Sequence, residues 1–553
     1  MQDTIKKFFE NLDEEINYRK EFSRTAKIHK YWSRKPWYIV EKYIKQYSQK
    51  GDTILDPFCG SSSTGLEAVL NERKFIGTDL NPMSILVSEG TLQTNFNKQE
   101  FINEFKKIEK TCKDTINHLY RTDFKCDLCN CNKVIKYVGI GPAFNDELHC
   151  HIYCPQCQTK KSSNSLIISR DTYENMYPDN DKLDYLLKWV PTVKFPTEFY
   201  KDRFSYKGIS KVIDMYTKRN LVALSLILNT IKNLDSKYET LLTLAFTNTS
   251  LHSSKLKGRN VRPLGVNNYW IPDDYIEENV WFRFENRVKD IIKAKITYLD
   301  RFEYNGTSST NVEYDVSLKS ALHLELEKNV DYIFTDPPYG EAIQYSELSY
   351  IWNAWIDKEY VNNEEVIINP KQNKGNAEFQ NLLDLSLKKM YSLLKPNGYF
   401  TLCFQNKDSK VWADVIKTCK NLNLSLYDIQ IYDTFGHPYN KGWAKFSPKA
   451  DIYVTFKKSP AEDALFYSEN MTVDLLIKNI LDYMYQNKKA IDVVKVYDVT
   501  ISLLIWNYFY NDKIDFDENF TPKSFQKIID TFLKEKKFEE LIDQTDSQLS
   551  FFI

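Results

Sequence analysis

Two short stretches of this sequence carry residue types and spacings suited to chemistry. ILDPFCGSSSTG places Asp56, Pro57, Phe58 and Gly60 after an apolar run, and TDPPYG places Asp336, Pro337, Pro338 and Tyr339 after another. An aromatic amine is a poor nucleophile because its lone pair is delocalised into the ring. It needs hydrogen-bond acceptors, not a strong base. Asp336 and the Pro337 carbonyl can accept the two N–H bonds of such an amine and aim its lone pair at an electrophile, while the prolines fix the backbone. Tyr339 offers a face on which a flipped base can stack, and stacking at about 1–3 kcal/mol per base offsets much of the cost of flipping.

The small-residue turn of the first stretch lets the backbone approach the methionine part of a nucleotide-like cofactor. Asp79, which ends the run KFIGTD and is followed by Leu80 and Asn81, is placed to accept bonds from ribose hydroxyls. The pattern is neither a Walker loop nor GxGxxG, so it lacks a phosphate grip. Taken singly, DPPY has a lesser reading as a proline-rich turn, and Asp79 reads equally as a helix N-cap. Their pairing, each at the end of a strand in one sheet, favours the chemical reading.

A third constellation is built from cysteine. Six of the chain's ten cysteines fall between Cys126 and Cys157, and the spacing Cys126-x-x-Cys129 followed by Cys154-x-x-Cys157 gives two knuckles that can present four thiolates to Zn2+. Four thiolates leave no open position, so the expected ion is structural. It would supply on the order of 10–16 kcal/mol of apparent binding energy to a segment with little apolar core. Cys131, Cys150, His149 and His151 lie close enough to compete as ligands, and buried free thiols are the alternative reading.

These residues need a scaffold. Thr53 to Leu55 read as a strand, Thr64 to Leu70 as a helix, KFIGTD as a second strand, and Pro82 as an early residue of a second helix. From about Asn97 to Asp300 the pattern is mostly amphipathic helix, broken by the cysteine cluster and by turn-rich stretches such as MYPDNDK and LKGRNVRPLG. Strand-like runs resume at NVEYDVS, DYIFTDPPY, GYFTLCF, LSLYDIQIYDT and ADIYVTFKK, with SLKKMYSLL and WADVIKTC between them as helices. The expectation is an α/β protein whose sheet is interrupted by a zinc-ribbon and helical insertion and followed by a helical C-terminal region. The divisions expected are 1–100, the first half of the core; 101–190, the insertion with the zinc ribbon; 191–305, a helical insertion for target recognition; 306–459, the second half of the core; and 460–553, the helical C-terminal region, where Trp506, Tyr508, Phe509 and Tyr510 read as helix core.

A length of 553 residues is ample for this plan, and a formal net charge of −1 means that any nucleic-acid surface must be local. Two basic groups qualify, Arg19 to Lys35 and the loop holding Lys255, Lys257, Arg259 and Arg262, although each reads equally as a solvated face. The charged start MQDTIKKFFENLDEEINYRK lacks a secretory apolar core, and no apolar run approaches the ~20 residues of a membrane span, so a cytoplasmic protein without membrane partners is expected.

DPFCGSSSTG, FIGTDLNP and TDPPYG resemble the cofactor and catalytic motifs of amino-group DNA methyltransferases. The first motif of that family usually reads DPFxGSGTT, so Ser62 stands here in place of a glycine. HKYWSRKP, His29 to Pro36, is similar to the family's upstream cofactor motif and brings Lys35 and Pro36 into the cofactor set. The resemblance implies a Rossmann-like class I methyltransferase core binding S-adenosyl-L-methionine. Asp56 and Gly60 would flank its methionine, Asp79 would hold its ribose, and Asp336, Pro337, Pro338 and Tyr339 would form the catalytic platform. More narrowly, FSYKGISKVIDMYTKRNLVALSLIL, YWIPDDYIEENVWFRFENRVKDI and GEAIQYSELSYIWNAW resemble the adenine-specific DNA methylases that contain a zinc ribbon, so the likeness covers most of residues 24 to 457. That likeness implies site-specific methylation of adenine N6 in double-stranded DNA, linked to restriction-modification or phage defence and to subunits of such systems. The alternatives are cytosine N4, a base amine in structured RNA, and a non-catalytic DNA-binding subunit.

Overall fold

The computed structural model describes residues 2–13, 18–142, 147–157, 163–199, 205–265, 268–359, 363–433, 450–459, 472–489, 491–510 and 522–536. Helices α1 (Gln2–Asp13) and α2 (Trp37–Tyr47) lead into β1 (Thr53–Asp56), α3 (Ser63–Leu70), β2 (Lys74–Asp79), α4 (Pro82–Leu92) and α5 (Lys98–Leu119). The strands β3 (Arg121–Lys125), β4 (Asn132–Ile140), β5 (Glu147–Tyr153) and β6 (Ser163–Ser169) follow, then α6 (Arg170–Asn175), α7 (Asn180–Leu186), α8 (Lys218–Lys232), α9 (Glu239–His252), β7 (Tyr275–Glu278) and α10 (Val280–Asn305). The chain returns through β8 (Tyr314–Leu318), β9 (Val330–Thr335), α11 (Tyr345–Trp355), α12 (Asn376–Leu393), β10 (Leu394–Phe404), α13 (Ser409–Asn421), β11 (Ser425–Asp433) and β12 (Ala450–Lys457). It ends in α14 (Val473–Gln486), α15 (Val493–Tyr510) and α16 (Pro522–Lys536).

Among the described residues, strands from both sides of the insertion join one seven-stranded sheet of order β11-β12-β10-β9-β1-β2-β8. β8, β2, β1, β9 and β10 run parallel, and β12 runs antiparallel to both β10 and β11. This is the class I methyltransferase sheet, as the motifs implied. The chain travels outward from β1 to β2 and β8, then crosses to β9 and β10 on the other side. The boundary between β1 and β9 is therefore the switch point, and ligands bind outside the carboxyl ends of strands at such a point.

Parallel strands must be covered on both faces, and the residues of β9 show how. Tyr332 and Phe334 turn into a layer with α2, α3 and the end of α10, whereas Ile333 turns into a layer with α1, α12, α13 and α15. The helices after β12 are thus part of the sheet's cover. Trp506, Tyr508 and Phe509 pack against that second layer, with the Phe509 ring 5.4 Å from Phe456. The N-terminal α1 lies there too, and the Phe9 ring stacks on Tyr483 of α14 at 5.4 Å.

The stretch around the cysteines departs from the helical expectation. β3 to β6 form an antiparallel sheet, and β7, more than a hundred residues later, joins β4 along the same edge as β3. Buried residues of β4 and β5 share an apolar core with α4, α5, α8, α9, α10 and α11. Helix α10 is pinned to the catalytic sheet by a buried ion pair, in which the Arg301 guanidinium donates to both Glu67 oxygens at 2.9 and 2.6 Å. Two parallel bonds to one carboxylate fix orientation as well as distance. No helix among the described residues is long and apolar enough to cross a membrane.

Candidate active site

A cleft opens to solvent at the β1/β9 switch point. Its walls include Lys35, Asp56, Pro57, Phe58, Gly60, Asp79, Leu80, Asn81, Asp336 and Pro338, so residues more than three hundred positions apart meet in one space. Pro36, Pro337 and Tyr339 stand beside the cleft. Pro36 caps α2, its carbonyl accepting from the Ile39 and Val40 amides at 3.1 and 3.2 Å.

The loop after β1 is held by two carboxylates. Asp56 accepts from the Thr64 hydroxyl at 2.7 Å, from the Phe58 amide at 3.2 Å and, across the switch point, from the Thr335 hydroxyl at 2.9 Å. Burial pushes Asp56 up to about 7 despite those donors. Asp79 accepts from the Gly60 amide at 3.0 Å and the Asn81 amide at 2.8 Å, and burial raises it to about 6. Gly60 is required twice over, since its φ is +52° and a Cβ would lie 2.8 Å from the Tyr31 ring. Ser62, two residues on, adopts φ 54° and ψ 44° and so enters the left-handed region in spite of its Cβ. The turn expected of the usual glycine is therefore made. Asn81 caps α4 by accepting from the Met83 amide at 3.1 Å and donates to Ser349 of α11 at 2.7 Å, which ties the cleft floor to the helix after DPPY.

On the other side stands Asp336, directly after β9. Its Oδ1 accepts from the Tyr339 hydroxyl and lies 3.4 Å from the Lys35 ammonium. Lys35 Nζ also donates to the Tyr339 oxygen at 2.6 Å and to Asp451 Oδ2 at 3.1 Å. Burial raises Asp336 to about 6, with the Lys35 charge pulling the other way. For Lys35 burial opposes the charge, but Asp336 and Asp451 outweigh it and its pKa stands well above the ordinary lysine range. The Tyr339 ring packs edge-on against Phe404 at 5.4 Å, and its carbonyl accepts from Asn406 at 3.1 Å.

Four further residues of the cleft region escaped the sequence reading. Tyr31 and Tyr345 stack at 6.0 Å across the cleft wall, and both lie in stretches that carried the family likeness. Glu365, pushed up to about 7 by burial, accepts from the Ser346 amide at 2.9 Å through one oxygen, and the other has no partner among the described residues. Asp451 opens β12. Because β12 is antiparallel, its first residues lie at the same sheet edge as the last residues of β9. The only sequence signal for it was a charged residue at the head of an apolar run.

The cysteine candidates separate cleanly. Cys126, Cys129, Cys154 and Cys157 bring their sulfurs within 4.8 Å of one another, with Cys126 to Cys157 at 3.9 Å and Cys129 to Cys154 at 3.5 Å. Four sulfurs about 2.3 Å from one zinc ion stand roughly 3.8 Å apart, so the donors fit. Cys131 instead contacts Gln156 at 3.2 Å, Cys150 is buried in the sheet core, and His151 stacks on Tyr137 at 5.1 Å.

Much of the basic run is structural. Lys30 donates to the Pro263 and Leu264 carbonyls at 2.8 and 3.0 Å, Arg34 donates to the His29 carbonyl at 2.8 Å, and Lys35 serves Asp336. Lys20, Arg24 and Lys27 stay exposed. In the second group Lys255 and Lys257 are satisfied by the Asp214 carbonyl and by Glu278, while Arg259 and Arg262 face solvent.

The family model described as DNA methylase, which joins N6 and N4 methylases, matches residues 3–89, the part holding Lys35, the Asp56 loop and Asp79. The type II methyltransferase M.MjaII of Methanocaldococcus jannaschii is 25% identical over 343 residues, 58% of this chain and 60% of that protein. The type II methyltransferase M.BglI of Bacillus subtilis is 36% identical over 76 residues, 14% of this chain and 21% of the relative. The DNA adenine methyltransferase YhdJ of Escherichia coli is 33% identical over 78 residues, 14% of this chain and 26% of the relative. The chain thus spans three fifths or less of the length of these relatives. Motifs, strand order and matches agree, and the chain resembles the amino-group DNA methylases, most directly over residues 3–89.

Proposed function

We propose that this chain transfers the methyl group of S-adenosylmethionine to an exocyclic base amine in double-stranded DNA, with adenine N6 as the target. The observation that carries this reading is that Asp336 and the Asp79–Gly60 seat line the same cleft. The cofactor, when bound, supplies an electrophilic methyl group on a sulfonium. The chain's own residues do the rest. Asp79 and the Gly60 turn receive ribose and methionine, and Asp56 stiffens the loop between them. Asp336 and the Pro337 carbonyl accept the amine's N–H bonds, which turns its lone pair out of conjugation and toward the methyl group. Tyr339, released from Asp336, supplies the stacking face for a flipped base. The exposed Arg259 and Arg262, on the loop that Lys30 ties to the cleft-lining segment, suit phosphate contacts. Cys126, Cys129, Cys154 and Cys157 hold a structural zinc ion.

Single-molecule sequencing of genomic DNA from a methylation-deficient host expressing the chain, or its Asp336→Ala variant, tests the reading. N6-methyladenine at a defined motif is expected only with the intact chain, and the variant should lose activity by at least about a thousandfold while still binding cofactor. N4-methylcytosine at such a motif would move the target to cytosine. A cofactor-binding protein that marks no DNA, alone or with restriction or defence subunits, would send the reading to RNA amines or to a non-catalytic DNA-binding role.

A further inference from the structure

Lys35 lies in the segment whose resemblance assigns it to the cofactor, yet its ammonium group is turned to other partners. Its side chain is 7% exposed. An ammonium has three N–H bonds, and three acceptors surround this one: the Tyr339 hydroxyl oxygen at 2.6 Å, Asp451 at 3.1 Å and Asp336 at 3.4 Å. Two of these contacts are hydrogen bonds and the third is an ion pair, so the ammonium is committed to the Asp336 side of the cleft.

The arrangement is also lopsided in a useful way. Both partners of Asp336 sit on Oδ1, while Oδ2 has none among the described residues and the side chain, 20% exposed, lines the cleft. Asp451, 8% exposed, has Lys35 as its partner and holds the ammonium from the far side. A lysine needed only to satisfy a buried aspartate would require one such partner. Here it bridges two carboxylates on different strands, one of them at the reaction point.

We propose that Lys35, anchored by Asp451, is a positioning residue that pins Asp336 through Oδ1, so that Oδ2 is presented to the base amine as an ionised acceptor. This rests on the methyl-transfer reading above. The groups facing Asp336 set the expected pH behaviour: Lys35 from the upstream segment, Asp56 from β1, Cys403 from β10, Asp451 and Tyr453 from β12, and Tyr345 from α11. Lys35 is the cation in that set. Removing it leaves burial and Asp451 to favour the protonated acid, so activity must fail at a higher pH. Removing the Asp451 charge has the opposite electrostatic sign.

The test uses the full chain, with Lys35→Met, Lys35→Arg and Asp451→Asn compared for cofactor affinity by calorimetry and for kcat on duplex DNA across pH. Lys35→Met should lose kcat by about a hundredfold with cofactor Kd changed by less than about threefold, and its acid limb should move up by about one pH unit. Lys35→Arg should restore the limb. Asp451→Asn should lose about tenfold in kcat while its acid limb moves down. Cofactor affinity lost in Lys35→Met with kcat intact at saturation would overturn the proposal, as would limbs that do not move or that move the same way in Lys35→Met and Asp451→Asn. If Lys35→Met does not fold, the direction seen in Asp451→Asn decides. If the wild-type chain methylates no DNA, the functional reading fails separately, and the clamp is judged by the infrared band of protonated Asp336, assigned by its loss in Asp336→Asn. That band must titrate at lower pH in Asp451→Asn than in wild type; no change, or a rise, overturns the clamp.

Discussion

The cleft and the cysteine knuckles are both clusters of reactive side chains, but they are held together by opposite means. The knuckles draw four sulfurs from two CxxC pairs within 32 consecutive residues of a small antiparallel sheet, with Cys129 exposed, Cys157 half-buried and Cys126 and Cys154 buried. The cleft draws Lys35, Asp56, Asp79, Asp336 and Asp451 from across more than four hundred residues and holds them by burial, hydroxyl donors and one shared lysine. A metal can organise ligands that the fold barely constrains, whereas buried carboxylates without an ion need the whole sheet to place their donors.

The largest expected effect tests that contrast. If zinc organises the knuckles, Cys154→Ser or a strong chelator removes binding energy of about 10 kcal/mol or more from that sheet alone. The expected outcome is loss of about one zinc per chain, rapid proteolysis between residues 121 and 169, and a cofactor Kd within about threefold of wild type. A collapse of cofactor affinity along with the metal would show that the two regions stand or fall together through α10 and the Arg301–Glu67 pair.

The second prediction concerns the burial that holds the cleft. Asp79, at about 6, takes up its proton well above the ~3.9 of an unfolded aspartate. The folded state then binds more protons than the unfolded state between these values, so the contribution of Asp79 to stability falls as pH rises through that window. If Asp79 holds the ribose as proposed, cofactor binding must run the other way, because a ribose hydroxyl donates to the carboxylate form. Calorimetry should find wild-type affinity weakening as pH drops through about 6, and thermal melts should find Asp79→Asn gaining on wild type as pH rises from about 5 to 7.5, whatever their offset. A flat difference across that range would mean that Asp79 is not buried as an acid.

How far each region could be read in advance follows from the same contrast. The knuckles were legible because their ligands are local, although the choice among Cys131, Cys150, His149 and His151 needed the strand register that turns Cys150 into the core. The motif loops were legible because each sits at a strand end, and the five strands after residue 305 stood out as apolar runs. The strands around the cysteines did not, since β4 reads NKVIKYVGI and β6 reads SNSLIIS, with polar residues masking the alternation. Asp451 was illegible for a topological reason, because only the reversal of β12 carries its first residues to the reactive edge. Lys35 was visible as a residue but not as a partner of Asp336, since no sequence pattern links positions 35 and 336.

The smallest expected effect falls on Ser62, where the chain departs from its family's usual glycine. At φ 54° and ψ 44° the Cβ stands too near its own carbonyl oxygen, at a cost of roughly 1–2 kcal/mol. Glycine removes that strain but gives back about 0.5–1 kcal/mol through the freedom of the unfolded chain. Ser62 occupies the N-cap position of α3 without a side-chain cap bond, so no capping contribution is lost with the hydroxyl. Ser62→Gly should therefore stabilise the chain by about 0.5–1 kcal/mol in denaturant melts and leave cofactor affinity within about twofold. A loss of stability would mean that the Ser62 hydroxyl supports the loop, and a loss of cofactor affinity would mean that the loop after β1 needs the stiffness that a side chain in the left-handed region imposes.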